Sequence, residues 1–182
     1  MRLPLLILPL ALVSSPLAAA GFDLPPRAPG QWEMSIQVDT AAMPPQIIRM
    51  CLDAETDKML NDRFGGMASH MCSRQEQKKD GDSIVLESDC RVGDMTTSSH
   101  TVVTGDFNSA YTMKTDVKMS GSNAPRGVQA GMAAAQGPMT QQTTINAKRV
   151  GECAAGAKPG DIDFGEGRTT NVRELPAPQP MQ

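Results

Sequence analysis

The stretch CSRQEQKKDGDSIVLESDC, from Cys72 to Cys90, predicts a β-hairpin that carries one cysteine at each of its two ends. The DGD sequence at 80–82 is a turn signal, and the residues on both sides of it have the composition of strands. A three-residue loop at 80–82 pairs Lys79 with Ser83, and counting back in that register places Cys72 directly opposite Cys90. Directly opposed residues of an antiparallel pair have Cα atoms about 4.5–5.5 Å apart, which is within disulfide range. The hairpin therefore predicts a Cys72–Cys90 disulfide, although a two-residue turn would shift the register by one residue and weaken that argument.

The two other cysteines, Cys51 and Cys153, form the second predicted disulfide by remainder. An even number of cysteines in an exported chain is typical of disulfides, and four cysteines allow three connectivities. A zinc site is the alternative. The cysteines include no C-x-x-C pair and the chain has only two histidines, so the ligand spacing of structural zinc is missing.

Alternating apolar and polar residues predict amphipathic strands at 32–38 and 111–119, with Trp32 as the buried anchor of the first. Asp53 is placed to cap a short helix over 54–60, which Gly65-Gly66 would end. Further strands are predicted at 47–52, 71–79, 83–92, 95–104 and 139–150. The fold class predicted from this order is mainly β: an antiparallel meander that forms a curved sheet or open half-barrel, with one short helix and disulfide staples.

The N-terminal segment has the pattern of a secretory signal peptide, with Arg2, an apolar run over 3–17 and three alanines at 18–20. We expect cleavage after Ala20. A membrane anchor is the alternative, but the run is too short to span about 30 Å of hydrocarbon. The predicted organisation is a signal peptide (1–20), an extended lead-in (21–28), a disulfide-linked β domain (29–153) and a disordered tail (154–182). The location predicted is the periplasm, or alternatively the extracellular space.

Composition narrows the function classes. The chain of 182 residues is about the length of one domain. It has 17 basic and 20 acidic residues, and the net charge of −3 argues against nucleic acid as a partner. Aromatic residues make up 3% of the chain, which argues against a large aromatic core. We expect no membrane span once the signal peptide is removed.

Five landmarks in a fixed order resemble a known family. They are Pro29-Gly30-Gln31-Trp32-Glu33, Cys51-Leu52, the pair Cys72 and Cys90, Tyr111-Thr112-Met113, and Lys148-Arg149-Val150-Gly151-Glu152-Cys153. Together they are similar to the exported bacterial family catalogued as domain of unknown function 3617, over about 29–153. The resemblance implies an exported small β domain with cysteine pairs, and it implies no activity. The chain departs from the family pattern in its long polar tail and in a Gly/Ala-rich insertion near Met132.

The sequence contains no recognisable catalytic motif. Ser98-Ser99-His100 is not a triad, because a triad is assembled across the fold, and the acidic residues at 53–57 are expected to be solvated surface. We therefore expect no enzymatic activity and no cofactor, with a hydrolase as the lesser alternative.

Methionine is unusually abundant, with 13 residues. Met67, His70 and Met71 crowd one segment, and thioether and imidazole groups are suited to Cu(I), so soft-metal binding in the periplasm is one alternative. Methionines at alternate strand positions are more often adaptable core filling. The leading hypothesis is a non-enzymatic envelope protein that binds an apolar small molecule or a partner protein on a methionine-lined concave face.

Overall fold

The computed structural model describes residues 22–39, 44–121 and 139–175, except for the side chains of residues 64–70 and 92. The predicted signal peptide and its cleavage site after Ala20 lie outside the described residues, as does the end of the predicted tail after Leu175. The first eight described residues, 22–29, form no regular secondary structure.

Nine strands and one α-helix make up the described chain, followed by a short 3-10 helix. Their bounds are β1 Gly30–Val38, β2 Gln46–Leu52, α1 Ala54–Met71, β3 Cys72–Asp80, β4 Ser83–Val92, β5 Met95–Asp106, β6 Ala110–Ser120, β7 Met139–Gly151, β8 Asp161–Asp163, β9 Thr169–Asn171 and the 3-10 helix Val172–Glu174.

All nine strands belong to a single sheet in the order β3-β4-β5-β6-β7-β1-β2-β8-β9, and every pairing is antiparallel. The five strands from β3 to β7 form a meander. The sheet is open and does not close into a barrel. The predicted fold class, a mainly antiparallel sheet with one α-helix and two disulfides, is therefore confirmed.

Helix α1 connects two distant parts of the sheet. It leaves β2 beside Leu52, which is opposite Gly30, and it reaches β3 at Cys72, which is opposite Cys90 at the other end of the strands. Its 18 residues give a length of about 27 Å. The helix contacts β2 and also β3 and β4, which lie near opposite edges of the sheet. The sheet therefore has to curve around the helix.

The helix is longer than the predicted segment 54–60. Its start is as expected, because the Asp53 carboxylate accepts a hydrogen bond from the Thr56 N–H at 2.8 Å and the Thr56 hydroxyl accepts one from the Asp53 N–H at 3.0 Å. The prediction that Gly65-Gly66 ends the helix is wrong. A glycine inside a helix costs about 1 kcal/mol relative to alanine, and that penalty does not stop a helix that is capped at one end and joined through Cys72 to a disulfide at the other.

The β3–β4 hairpin has a two-residue turn, Gly81-Asp82, where the sequence predicted three residues. Gly81 has a φ of +58°, a conformation that glycine adopts at little cost. Asp80 therefore pairs with Ser83, and most of the hairpin is shifted by one residue from the predicted register. An irregularity between Cys72 and Arg74 restores the register, so that Cys72 is opposite Cys90 after all.

Both disulfides join the pairs that the sequence predicts. Cys72 is bonded to Cys90, and Cys51 is bonded to Cys153. The first disulfide fixes the end of α1 to β4. The second fixes β2 to the segment that follows β7.

The core is centred on rings, contrary to the expectation from composition. Trp32 is fully buried as predicted, its ring centroid lies 5.8 Å from that of Tyr111, and Phe107 stacks on Tyr111 at 4.5 Å. The Trp32 indole N–H donates to the Ala28 carbonyl at 2.8 Å, so its polar atom is satisfied. Aromatic residues are few, but the fold collects several of them in one place.

The predicted disordered tail is wrong for residues 154–175. Strand β8 pairs with β2 and with β9, and the Gly160 N–H donates to the Cys51 carbonyl. Ile162 and Val172 are buried in the same core as Trp32. The domain therefore extends beyond the predicted boundary at Cys153, because this segment covers part of the edge of β2 and supplies core residues.

Candidate functional site

Only one face of the sheet packs against the core. We call the face that carries Trp32 the inner face. At the end of the sheet near the β5–β6 turn, its side chains are buried against α1, the lead-in 22–29 and the C-terminal segment. Toward the other end, where β3 begins and β4 turns into β5, the same face changes in character.

That second part, the lower inner face, is defined by directly opposed residues across β1, β7, β6, β5, β4 and β3. They are Ile36, Val38, Met139, Gln141, Thr143, Ile145, Thr115, Val117, Met119, Thr97, Ser99, Thr101, Ser88 and Gln75. Most of these side chains are half-buried, and the aliphatic ones lie outside the packed core cluster. The lower inner face is therefore the part of the inner face that the described core leaves partly accessible.

The hydroxyl groups of the lower inner face bond to one another. The Ser88 and Ser99 hydroxyl oxygens are 2.7 Å apart, and those of Thr101 and Thr115 are 2.9 Å apart. Ser88 and Thr101 are buried. These pairs make a polar strip on β4, β5 and β6 without placing any charge there.

Gln75 lies at the β3 end of the same face, opposite Ser88. Its amide oxygen and amide nitrogen are both buried and have no hydrogen-bond partner in the part of the chain that the structure describes. Leaving a buried polar group without a hydrogen bond costs about 1–3 kcal/mol of stability. A ligand that bonds to the Gln75 amide would therefore be favoured.

Charged side chains occupy the opposite, outer face. Arg74 contacts Glu76 and Asp89, and His100 contacts Glu87 at 2.8 Å. The hydrogen bonds between Arg74 and Glu76 are the main cause that raises the pKa of the Arg74 guanidinium and lowers the pKa of the Glu76 carboxyl. The lower inner face has no Asp, Glu, Lys or Arg among the strand residues that define it.

The alternation of β5 separates the side chains of Ser98-Ser99-His100, the segment that the sequence analysis did not accept as a triad. His100 points to the outer face with Glu87, whereas Ser99 points to the inner face with Ser88. Ser98 shares the outer face but donates its hydroxyl to Asp89 at 2.7 Å. That hydrogen bond is the main cause that lowers the pKa of Asp89.

The expectation of a solvated acidic cluster at 53–57 is wrong for Asp57. Its side chain is 1% exposed and pairs with the Arg27 side chain, which is 9% exposed, at 2.6 Å. The Arg27 backbone N–H also donates to Asp57, at 3.0 Å. Arg27 and Asp57 therefore attach the lead-in to the helix. The local sequence around Asp57 does not indicate this pair, because Arg27 lies 30 residues away. Burial raises the pKa of the neighbouring Tyr111 phenol.

The sequence candidates for metal binding fall at the end of α1. The helical backbone places positions 67, 70 and 71 on one side of the helix, because residues three and four apart are neighbours. Met71 is half-buried, and the side chains of Met67 and His70 lie outside the described part. Among the side chains that are described, no group of three or more His, Cys, Asp or Glu is arranged to hold a metal ion.

The sheet, the helix and the two disulfides define the class of the chain, which is a small, disulfide-linked antiparallel β protein. Residues 27–153 match the family described as "Protein of unknown function (DUF3617)", and the chain belongs to that family. The family resemblance read from the sequence is thereby confirmed. No curated protein and no solved structure matches the chain. In the described residues, no helix has the length and apolar character needed to cross a membrane.

Proposed function

We propose that this protein is an exported, non-enzymatic binding module that holds an apolar small molecule on its lower inner face. The observation that carries the proposal is the partial burial of Val117, Met119 and Met139 on the core side of the sheet but outside the packed core. Apolar surface that is concave and incompletely covered is the usual setting of a ligand site. Methionine side chains suit such a site because they adapt to the shape of what they contact.

Two observations support export. Both cysteine pairs are disulfide-bonded, and structural disulfides persist in oxidising compartments. The first 20 residues have the pattern of a signal peptide. The periplasm is the location that we propose. The absence of enzymatic activity is proposed because His100 contacts Glu87 on the outer face, away from the hydroxyl groups of the inner face.

The direct test is native mass spectrometry of the protein purified without detergent from the exported fraction of its own host. We expect the chain to carry a non-covalent apolar compound that organic solvent extracts. A variant with Val117→Lys is expected to lose that compound, whereas Lys118→Gln, one residue away on the outer face, is expected to keep it. Protein that is free of any bound compound and cross-links only to envelope proteins would favour a partner-protein role instead.

Soft-metal binding is the second candidate function. The observation in its favour is that α1 continues to Met71, which brings the positions of Met67, His70 and Met71 to one side of the helix. Thioether and imidazole ligands are suited to Cu(I). Competition with a Cu(I) indicator should detect binding that disappears when all three residues are replaced together, and an unchanged competition would exclude this site.

A further inference from the structure

The lower inner face has a gradient of polarity from one side to the other. On β1, β6 and β7 it is largely aliphatic, with Ile36, Val117, Met119 and Met139. On β4 and β5 it is lined by hydroxyl groups, and on β3 it ends in the Gln75 amide. Strands are about 4.8 Å apart, so the distance from β7 to β3 is about 19 Å.

The described strand residues that define the lower inner face carry no formal charge, because they include no Asp, Glu, Lys or Arg. A charged group placed on this face would lose part of its hydration without gaining a counter-charge from these residues, and that loss is large.

Among the described residues of this face, buried polar atoms without a hydrogen-bond partner occur at the β3 side. The hydroxyls of Ser88 and Ser99, and those of Thr101 and Thr115, are already paired with each other. The Gln75 amide has an unused donor and an unused acceptor in the part of the chain that the structure describes. A ligand that supplies both an acceptor and a donor, such as an ester beside a hydroxyl, would satisfy it.

From these three features we infer that the lower inner face selects an uncharged amphiphile over an ionic one. The apolar chain lies on the β6–β7 side, and the uncharged polar end lies toward Gln75. Along β7, the inner-face residues from Met139 to Ile145 span about 20 Å, with Gln141 and Thr143 between the two apolar ends. Val117 and Met119 of β6 lie alongside, and this length suits a long alkyl chain. This inference rests on the proposed binding function and specifies the class of ligand.

The test compares three probes with the same alkyl chain and different heads: monododecanoylglycerol, dodecanoate and dodecyltrimethylammonium. Isothermal titration calorimetry is carried out on the full exported chain with both disulfides intact, below the concentration at which the probes form micelles. We expect the uncharged probe to bind at least about tenfold more tightly than either ion, because neither ion has a counter-charge in the site.

Two variants and one control locate the site. Val117→Lys is expected to weaken the uncharged probe at least tenfold and to improve dodecanoate relative to it, since the new ammonium is a counter-charge. Lys118→Gln on the outer face is expected to leave all three affinities within a factor of two. Gln75→Leu removes the amide and leaves the aliphatic side intact, so the uncharged probe is expected to lose about fivefold. It serves as the independent test if Val117→Lys does not fold.

Dodecanoate binding that equals or exceeds binding of the uncharged probe would overturn the inference and leave the proposed function standing. Failure of every probe with protein that does carry an apolar compound from its host would also overturn it. Failure of every probe with protein that carries no such compound would overturn the proposed function as well.

Discussion

The pair of Arg27 and Asp57 gives the sharpest stability prediction, because one helix residue holds the lead-in to the domain. The Arg27 Nε lies 2.6 Å from one Asp57 oxygen, and the Arg27 backbone N–H lies 3.0 Å from the other. Replacing Asp57 by Asn keeps the size of the side chain and removes its charge. The guanidinium of Arg27 then remains nearly buried without a counter-ion.

The expected size of the effect follows from that burial. Breaking a buried ion pair by removing one partner costs about 3–5 kcal/mol, and a domain has only about 5–15 kcal/mol of stability in total. Asp57→Asn and Arg27→Met should each lose about 3–5 kcal/mol. The double variant Arg27→Met/Asp57→Asn removes both charges, so its loss should be smaller than the sum of the two single losses by at least about 2 kcal/mol.

Urea unfolding followed by fluorescence measures these losses, because Trp32 is the only tryptophan and is fully buried. The control is Asp62→Asn, which breaks the Lys58–Asp62 pair on the same helix, where both side chains are largely exposed. It should cost less than about 0.5 kcal/mol. A loss below about 1 kcal/mol for Asp57→Asn, similar to the control, would refute the reasoning.

Three other predictions concern the staple, the C-terminal segment and pH. Replacing Cys51 and Cys153 by alanine should cost about 4–5 kcal/mol, because the disulfide closes a sequence separation of 102 residues; an unchanged urea midpoint would contradict this. Val172→Ala should lower the free energy of unfolding by about 2 kcal/mol, because Val172 is fully buried. A melting temperature that does not change in calorimetry would contradict the assignment of the segment after Cys153 to the core. The hydrogen bond from the Thr56 N–H lowers the pKa of Asp53, so the unfolded state binds more protons than the folded state below about pH 4. Stability should therefore decrease as the pH is lowered through this range, and Asp53→Asn should make that decrease smaller.

The strand pattern was accessible from the sequence because one face of the sheet is packed and the other is wet. The alternation at 111–119 and the turn residues between strands therefore placed the meander correctly. The hairpin register was harder. Gly81 made a two-residue turn, and only an irregularity beside Cys72 brought the cysteines opposite each other. A bulge of this kind depends on the covalent partner and leaves no signal in the local composition.

The largest error concerned residues 154–175, which were predicted to be disordered. Their glycine, proline and charge content is that of a solvated segment, and only two short strands form there. What orders them is tertiary: pairing with β2, burial of Val172, and a hydrogen bond from Arg173 to the Pro159 carbonyl at 2.8 Å. Burial of Asp57 has the same origin, since its partner Arg27 lies 30 residues away.

The candidate site was only partly accessible from the sequence. A methionine-lined face could be predicted from the alternation at Met113 and Met119, but the structure separates these residues. Met113 packs against the core, and Met119 lies on the lower inner face opposite Met139. The Gln75 amide carried no signal, because a glutamine in a charged strand is ordinarily solvated.

The most direct test of ligand binding on the lower inner face uses the methionines themselves as probes. In protein labelled with carbon-13 at the methionine methyl groups, NMR reports each thioether separately while a lipid extract of the host is added. We predict that the Met119 and Met139 signals shift together and saturate, while the signal of buried Met50 stays in place. Signals of Met119 and Met139 that do not respond, in protein whose Met50 signal shows it to be folded, would contradict the lower inner face as the binding site.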